Sequence, residues 1–370
     1  MGKIEVEVVP LPDCEELREQ WLRLEAAADG SFFTSWSWIG CLVRGLGEAE
    51  RPQLVRARDG DRIVGLGLLG GHINRRHRML TSRVRSLNAT GNPLTDEISI
   101  EHNGFLVDRE EASATARGMC RHLAECLVDW EELRLDGVAG DWSSLAQDHP
   151  ELEIVQRTYP CYCVDLNAIR TSGSTYLEWL SPNARAQIRR SLREYSKFGA
   201  VLARSASTRD EAIAFLRELR ELHQRYWTAR GEAGSFSNAF FDRFHGRLVA
   251  ENFDQGSIQL VKITAGEFVL GYLYNFVYQG WIGNYQSGFD YGLCDRHCRP
   301  GLVAHALAVD LNLALGHRAY DFLAGDYQYK RTLGAPCGSM HWIVLRRNLL
   351  KFRVENRLRG LKHLVRQMIR

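Results

Sequence analysis

Apolar and polar side chains alternate along the chain in two periods, one typical of strands and one typical of helices. Residues 4–9 alternate as a strand does, while residues 14–28 keep their apolar side chains on one helical face. Residues 52–58 and 62–70 predict two strands joined by the Asp-Gly-Asp turn between them. An aromatic-rich helical segment at 31–46, a helix at 109–128 and shorter strands complete the first half. The pattern predicts a mixed α and β fold.

The second half of the chain repeats a similar order of predicted elements. Strands are predicted at 161–166, 201–204, 257–263, 269–278, 281–288, 319–323 and 340–345, and helices at 176–198 (interrupted near Pro182), 210–229, 238–250 and 301–315. Residues 150–160 are predicted to turn the chain towards this second unit, and 327–334 to form a loop or short turn. With 370 residues, the chain suits two domains. We therefore predict units at 1–158 and 159–346, followed by a helix at 347–370.

The composition of the chain agrees with two ordinary globular domains. The chain is 45% hydrophobic and 25% charged, and its formal net charge of +2 requires neither a nucleic acid nor a membrane as partner. Residues 1–10 have no apolar signal-peptide core and no stretch reaches the ~18 apolar residues of a membrane span, so we expect a cytoplasmic protein. Nine irregularly spaced cysteines and the absence of a Cys-x-x-Cys pair predict reduced thiols and no metal site.

The most informative block is residues 281–331. A predicted strand ends in Tyr285 and Gln286, and a loop with Arg296 and Arg299 then leads into a helix that begins near Gly301. Helix N-termini present free N–H groups and a positive dipole end, which favours phosphate groups. Arg296, Arg299 and Gly301 are therefore candidates for binding the pyrophosphate of an acyl-CoA, although surface arginines before a helix are equally often only solvated.

Ionisable groups crowd the next short segment. Asp321 lies in a predicted strand, and Asp326, Tyr329 and Lys330 follow it closely. Acyl transfer to an amine needs a proton acceptor, a group that stabilises the carbonyl oxyanion and a proton donor for the leaving group. Asp326 suits the first role, Lys330 the second, and Tyr285 or Tyr329 the third. A turn held by an Asp–Lys pair explains the same spacing equally well.

Several of these pieces occur in the order found in a known family. The chain reads Tyr-Gln-Ser-Gly-Phe-Asp at 285–290, opens a helix with Pro-Gly at 300–301, and reads Tyr-Asp-Phe-Leu-Ala-Gly-Asp-x-x-Tyr-Lys at 320–330; an arginine-rich helix spans 182–199. In this it resembles the CelD-like acyltransferases of the GNAT superfamily, which are related to the Fem-type aminoacyltransferases and linked to polysaccharide biosynthesis. The resemblance covers 161–345 and is thin before that. It implies two GNAT-like domains in tandem, the first degenerate and the second catalytic.

The resemblance also implies roles for single residues. Lys330 matches the lysine that Fem-type enzymes use near the transferred acyl group, and Arg185 and Arg189 match a helix that faces the acceptor. The segment 299–301 stands where the GNAT pyrophosphate loop would be, with only one glycine after the arginine. Fem relatives also lack a good pyrophosphate loop and take their acyl group from aminoacyl-tRNA.

Two basic surfaces bear on the choice of donor. Arg185, Arg189 and Arg193 recur every four residues, so they share one helical face that suits phosphate groups, unless acids elsewhere pair with it. The helix at 347–370 is basic and amphipathic; it suits an anionic membrane surface or a tRNA, or it packs on the domain with a basic outer face. Gln286, Asp321 and Trp227 are candidate acceptor contacts.

Three hypotheses follow from the sequence. The first is an N-acyltransferase that moves an acyl group from acyl-CoA to the amine of an amino sugar, an amino acid or a peptide-like acceptor, in a cleft between the two domains. The second is a Fem-like transferase with aminoacyl-tRNA as donor. The third is a catalytically silent scaffold in polysaccharide biosynthesis. The sequence does not set the oligomeric state.

Overall fold

A computed structural model of the protein describes residues 4–76, 80–140, 149–293 and 298–357. The strands are β1 (Glu5–Val9), β2 (Gln53–Asp59), β3 (Arg62–Arg76), β4 (Leu80–Leu87), β5 (Leu106–Val107), β6 (Glu132–Ala139), β7 (Leu152–Asp165), β8 (Val201–Ser205), β9 (Ile258–Ala265), β10 (Phe268–Tyr278), β11 (Trp281–Phe289), β12 (Ala319–Ala324) and β13 (Ala335–Arg347). The helices are α1 (Cys14–Ala27), α2 (Trp36–Gly45), α3 (Pro93–Asp96), α4 (Ala112–Glu125), α5 (Leu166–Ser172), α6 (Tyr176–Trp179), α7 (Pro182–Tyr195), α8 (Arg209–Thr228), α9 (Ala239–Asn252), α10 (Pro300–Ala314) and α11 (Gln328–Leu333). The predicted mix of helices and strands is confirmed.

The strands lie in one continuous sheet. Their order is β1-β2-β3-β4-β6-β13-β7-β12-β11-β10-β9-β8, and β5 pairs with β3. Neighbours run antiparallel except for two parallel pairs, β4 with β6 and β11 with β12. The first unit has the order β1-α1-α2-β2-β3-β4-α4-β6, and the second unit repeats it as β8-α8-α9-β9-β10-β11-α10-β12. Two units of the same topology therefore stand in tandem.

The two units exchange a strand at the centre of the sheet. β7 follows β6 along the chain but pairs with β12 of the second unit, while β13 follows β12 but pairs with β6 of the first. β7 and β13 also pair with each other, which joins the two halves through backbone hydrogen bonds. Each unit is thus completed by a strand that belongs, in chain order, to the other.

This exchange corrects the expectation that residues 150–160 turn the chain. Residues 152–160 lie in β7 instead, so the boundary at residue 158 falls inside a continuous strand. Pro160 pairs with Ser339 of β13, directly after the register shifts opposite Cys161, where a missing N–H is tolerated. Residues 328–333, expected to be a loop or short turn, form helix α11, and the last strand is longer than predicted.

Three apolar cores hold the sheet to its helices. The largest lies on one face and contains side chains of α1 and α2 together with those of α8 and α9, so it spans both units. On the opposite face, α5, α6, α7 and α10 cover the second unit, and α4 covers the first. Burial of this continuous apolar surface fixes the two units relative to each other.

Local sequence signals explain the helix ends next to the site. Ser181 accepts a hydrogen bond from the N–H of Ala184, and Pro182 occupies the first turn of α7. Pro300 opens α10 in the same way, as predicted. At the C-terminus, residues 350–357 are helical, and the remainder of the predicted basic helix lies outside the described residues. Within the described ranges, no helix has the length and apolarity needed to cross a bilayer.

Candidate active site

The C-terminal ends of β11 and β12 separate from each other in the second unit. On β11, Tyr285 is an extra residue opposite β10, a β-bulge that displaces the strand end. The two parallel strands pair only over Trp281↔Ala319, Ile282↔Tyr320 and Gly283↔Asp321. Beyond these residues a gap lies between 284–289 of β11 and 322–324 of β12, and we call it the second-unit opening.

The end of β12 has an unusual backbone conformation. Leu323 has φ of 62°, a left-handed value that bulky side chains rarely adopt. Its N–H donates to Oδ1 of Asp321 at 2.6 Å, which holds the turn in place. Gly325 follows with φ of 121°. Such strain persists only where surrounding contacts impose it, and it is concentrated at functional sites.

Lys330 lies beneath this turn. It is only 5% exposed, and its Nζ donates to the carbonyl oxygens of Leu323 at 3.1 Å and Ala324 at 2.6 Å. Burial lowers the pKa of Lys330, although the nearby Glu101 and Asp321 carboxylates oppose the shift. An ammonium group has three N–H donors, so two hold the turn and one is left for another acceptor.

Glu101 reaches the same turn from the first unit. Its carboxylate accepts the N–H of Ala324 at 2.7 Å, so the peptide group between Leu323 and Ala324 is bound by Glu101 through its N–H and by Lys330 through its oxygen. Burial raises the pKa of Glu101 to about 7, and the Ala324 hydrogen bond and the Lys330 charge oppose that shift. A carboxyl group with this pKa can gain or lose a proton near neutral pH.

His102 forms a second polar pair next to Glu101. Its Nε2 lies 2.9 Å from Oδ2 of Asp321, and Nε1 of Trp281 donates to the same oxygen at 3.3 Å. His102 also has a left-handed φ, of 43°. Burial alone would lower the pKa of His102, but the hydrogen bond to Asp321 and its charge outweigh burial, so the pKa is raised.

A pocket of about 540 Å³ lies beside this His102–Asp321 pair, where the two units meet. We call it the seam pocket. It is lined by His102, Ala139, Gly140, Cys161, Cys163, Trp281, Ala319, Asp321, Cys337, Gly338, Ser339 and His341. Asp321 therefore connects the two features, because it lines the pocket and also holds the strained turn at the second-unit opening.

Comparisons with known proteins identify the second unit of the chain. The family model described as "Acetyltransferase (GNAT) domain" matches residues 182–331. The protein contains a GNAT acyltransferase domain. It is a transferase enzyme, so the scaffold hypothesis is not supported. The search of curated protein sequences found no match to this chain.

Solved structures share the fold of the whole chain, including its GNAT domain. L-PGS from Bacillus licheniformis is 12% identical with a TM-score of 0.54, covering 93% of this chain and 95% of that one. A C-terminal DUF2156 domain from Agrobacterium fabrum, assigned to a lysylphosphatidylglycerol synthetase, is 10% identical with a TM-score of 0.54 (91% and 93% covered). FemX is 10% identical with a TM-score of 0.53 (91% and 96% covered). At these identities the likeness concerns the fold alone.

Of the two candidate proton donors in the GNAT domain, Tyr329 is the more exposed. Its ring is stacked on His305, with 5.5 Å between centroids, and is 37% exposed. Burial raises the pKa of Tyr329, so its hydroxyl stays protonated. Tyr285 is half-buried and packs against the largest core, and its hydroxyl donates to the carbonyl of Ile98. Gln286 is half-buried beside it on β11.

Asp326 lies apart from this network. It is exposed, its Oδ1 accepts the Tyr162 hydroxyl at 2.9 Å, and it forms an ion pair with Arg331. These two partners lower the pKa of Asp326. A carboxylate with a lowered pKa is a weak proton acceptor, so the geometry does not favour the predicted role as base.

The predicted donor-binding residues lie at the start of α10. The Arg299 N–H donates to Oγ of Ser191 on α7, at 3.2 Å, while the N–H groups of Gly301 and Leu302 have no acceptor among the described residues. A Cβ at position 301 would lie 3.2 Å from the Phe289 ring, so packing also explains this glycine. Arg296 lies outside the described residues.

The predicted acceptor-binding residues are more dispersed. Arg185 is half-buried and Arg189 exposed on α7, and neither forms an ion pair with a described residue. Trp227, on the last turn of α8, is 37% exposed and contacts His223 and Tyr226. Asp321 lines the seam pocket, but its oxygens accept hydrogen bonds from protein donors.

Sequence reasoning missed Glu101 and His102. They belong to the first half of the chain, where the family resemblance is thin, and no motif marks them. Their partners Ala324 and Asp321 lie more than 200 residues away. The available signal was the polar run Glu-His-Asn-Gly between two apolar segments, which is equally typical of an ordinary loop.

Proposed function

We propose that the protein transfers an acyl group from acyl-CoA to a primary amine at the second-unit opening. The observation that carries this proposal is the buried ammonium of Lys330 at the strained strand end of a GNAT domain. Two of its donors are used by carbonyl oxygens of the turn. The third is in a position to stabilise negative charge in a site of low dielectric constant, where such a contact is strong.

The donor side of the proposal rests on the start of α10. Two N–H groups without described acceptors, at Gly301 and Leu302, combine with the Arg299 side chain and the helix dipole to favour a pyrophosphate group. Arg296 precedes them in sequence. We assign the pyrophosphate of the donor to this position and its acyl group to the opening between β11 and β12.

The reaction proceeds by direct attack. The amine nitrogen forms a bond to the thioester carbonyl carbon, and the carbonyl oxygen gains negative charge that Lys330 stabilises. The tetrahedral intermediate then collapses, the carbon–sulfur bond breaks, and the CoA thiolate takes up a proton, with the Tyr329 hydroxyl as its hydrogen-bond donor. The products are an amide and CoA, and the amine has lost one proton.

The proposal also covers the chemical class of the acceptor and the compartment in which the reaction takes place. The seam between the two units suits an amino sugar, an amino acid or a peptide-like amine, with Gln286 and Trp227 as further contacts. We place the reaction in the cytoplasm, where CoA thioesters are found. We also expect the basic segment after residue 346 to contact an anionic membrane surface.

A Fem-like reaction with aminoacyl-tRNA is the second candidate. It is favoured by Arg185 and Arg189, which form no ion pair with the part of the chain that is described. The fold shared with FemX and L-PGS agrees with it. Here the bond broken would be the ester carbon–oxygen bond, and the tRNA hydroxyl would take the proton.

Thermal unfolding with each donor separates the two candidates. A ligand that binds only the folded state raises the melting temperature as its concentration rises. We expect acetyl-CoA or a longer acyl-CoA to raise it, and tRNA, charged or uncharged, to leave it unchanged. A shift with tRNA alone, lost at high salt, would overturn the acyl-CoA proposal in favour of the Fem-like reaction.

A further inference from the structure

The chemistry of the seam pocket favours a cation. Asp321 contributes a carboxylate to its wall and Trp281 an aromatic ring. Of the described residues that line it, none is a lysine or an arginine. Carboxylates and aromatic faces attract ammonium groups, whereas phosphate groups favour the lysine and arginine side chains that are absent from the described lining.

The pocket also contains a histidine in an arrangement suited to proton transfer. Asp321 accepts a hydrogen bond from Nε2 of His102, so the carboxylate fixes which ring nitrogen carries the proton. The other nitrogen, Nδ1, has no partner among the described residues. The backbone of His102 is held in a left-handed conformation, which the Ser31 hydroxyl supports by donating to the His102 carbonyl at 2.7 Å.

The pocket and the second-unit opening are adjacent. Glu101 and His102 are consecutive residues, yet Glu101 binds the N–H of Ala324 at the opening while His102 lines the pocket. Asp321 likewise binds His102 on one oxygen and the turn residue Leu323 on the other. A group bound in the pocket is therefore next to the turn that Lys330 holds.

We propose that the seam pocket binds the acceptor as a primary ammonium ion without phosphate groups, and that His102, positioned by Asp321, removes its proton. This inference rests on the proposed acyl transfer. The proton passes from the ammonium nitrogen to Nδ1 of His102, the imidazolium is stabilised by Asp321, and the freed lone pair attacks the acyl carbon. The residue that deprotonates the acceptor thus comes from the first unit, and the donor site from the second.

The test is chemical rescue of a His102→Gly variant. Glycine adopts a φ of 43° without strain, so this substitution removes the imidazole while keeping the backbone. The assay follows release of CoA thiol from acetyl-CoA with glucosamine, lysine or spermidine as the amine. We expect His102→Gly to lower the amine-dependent rate at least about 100-fold, and added imidazole to restore part of it.

Ser99→Gly is the matched control. Ser99 lies in the same segment, is exposed, and has a left-handed φ of 49°. It should keep its rate and show no response to imidazole. Unchanged activity of His102→Gly, a loss that imidazole does not restore, or no stimulation of the wild type by any of the three amines would overturn the proposal.

The acyl-CoA proposal is checked separately in the same experiment. Binding of acetyl-CoA, read as a rise in melting temperature, does not depend on His102 or on the amine. Failure of acetyl-CoA to bind wild-type protein would therefore count against the proposed function, whereas normal acetyl-CoA binding without imidazole rescue would count against the seam pocket alone. Glucosamine 6-phosphate serves as the anionic comparison, and faster transfer to it than to glucosamine would contradict the cationic pocket.

Discussion

The two units have the same topology, but they differ in what lies between the two parallel strands beyond their paired residues. In each unit one parallel pair extends over only three residue pairs, between β4 and β6 in the first unit and between β11 and β12 in the second. In the second unit the strand ends part at a turn held by Lys330. In the first unit the corresponding gap is occupied by the segment 100–104.

Two buried asparagines close the gap in the first unit. The Asn103 amide donates to the carbonyl of Leu87 on β4 and to that of Asp136 on β6. Asn88, with φ of 52°, donates to Oδ1 of Asn103 and accepts the Leu68 N–H. These side chains take the place of the missing strand-to-strand hydrogen bonds. Among the residues that the structure describes, the first unit therefore shows no free opening of the kind that the second unit offers.

The closure also has a consequence for the second unit. Asn103 follows Glu101 and His102 directly, so the segment that fills one opening delivers two polar side chains to the other. Gly137 permits the close approach, because a Cβ there would lie 2.2 Å from the Ile100 carbonyl oxygen. The contacts that close the opening of the first unit are thus linked through one segment to the contacts of the second, and four variants test this comparison.

The largest expected effect concerns Lys330, which marks the second-unit opening. Lys330→Ala should lower kcat/KM for amine-dependent release of CoA about 10²–10³-fold, because it removes the charge that stabilises the oxyanion. Lys351→Ala is the control; that lysine pairs with Glu131 and lies outside the site. If Lys330→Ala is folded by circular dichroism and retains its activity, the role assigned to Lys330 at the second-unit opening is wrong.

The next largest effect is on stability and concerns the closed opening. Asn103→Ala should lower the free energy of unfolding by about 2–4 kcal/mol, because several buried polar groups lose their partners. Urea denaturation measures this change. Asn167→Ala, at an exposed residue whose side chain accepts a hydrogen bond from Arg170, should stay within about 0.5 kcal/mol. Similar values for both variants would show that the amide network does not hold the first opening shut.

A smaller, pH-dependent effect is expected at Glu101. Its pKa is raised in the folded protein, so its ionised form costs stability, and that cost grows as the pH rises from the ordinary carboxyl range through about 7. Glu101→Gln should therefore melt about 2–4 °C higher than wild type at pH 8 and at the same temperature at pH 5. A difference between the proteins that is the same at both pH values would contradict the proposed environment of Glu101.

The smallest effect is expected at Asp326. Because its carboxylate is exposed and already paired with Arg331, Asp326→Asn should lower kcat/KM less than about threefold. The same CoA-release assay measures it. A loss as large as that of Lys330→Ala would instead favour Asp326 as the base and reduce the role assigned to the first unit.

Periodicity and turn residues predicted the order of helices and strands well, because these signals are local. Pro182 and Pro300 indicated the first turns of α7 and α10. The strand exchange could not be predicted, since the pairing of β7 with β12 depends on contacts between residues far apart in sequence. Pro160, near the predicted domain boundary, indicated a turn, but the pairing of β7 with its neighbours keeps this segment extended.

The site was predicted only in part for the same reason. Lys330 and Asp321 were found because they share one short segment with the family-like motif, and the structure brings them to one turn. Spacing could not distinguish the buried Lys330 from the exposed Asp326, since burial is a property of the fold. Glu101 and His102 carry no local signature and meet their partners only through the packing of one unit on the other.

The central claim is that one donor site remains, in the second unit. Calorimetric titration of the wild-type protein with acetyl-CoA tests it most directly. The account predicts binding with a stoichiometry of one acetyl-CoA per chain, because amide side chains fill the first opening. Two sites per chain, or no binding of acetyl-CoA at all, would contradict it.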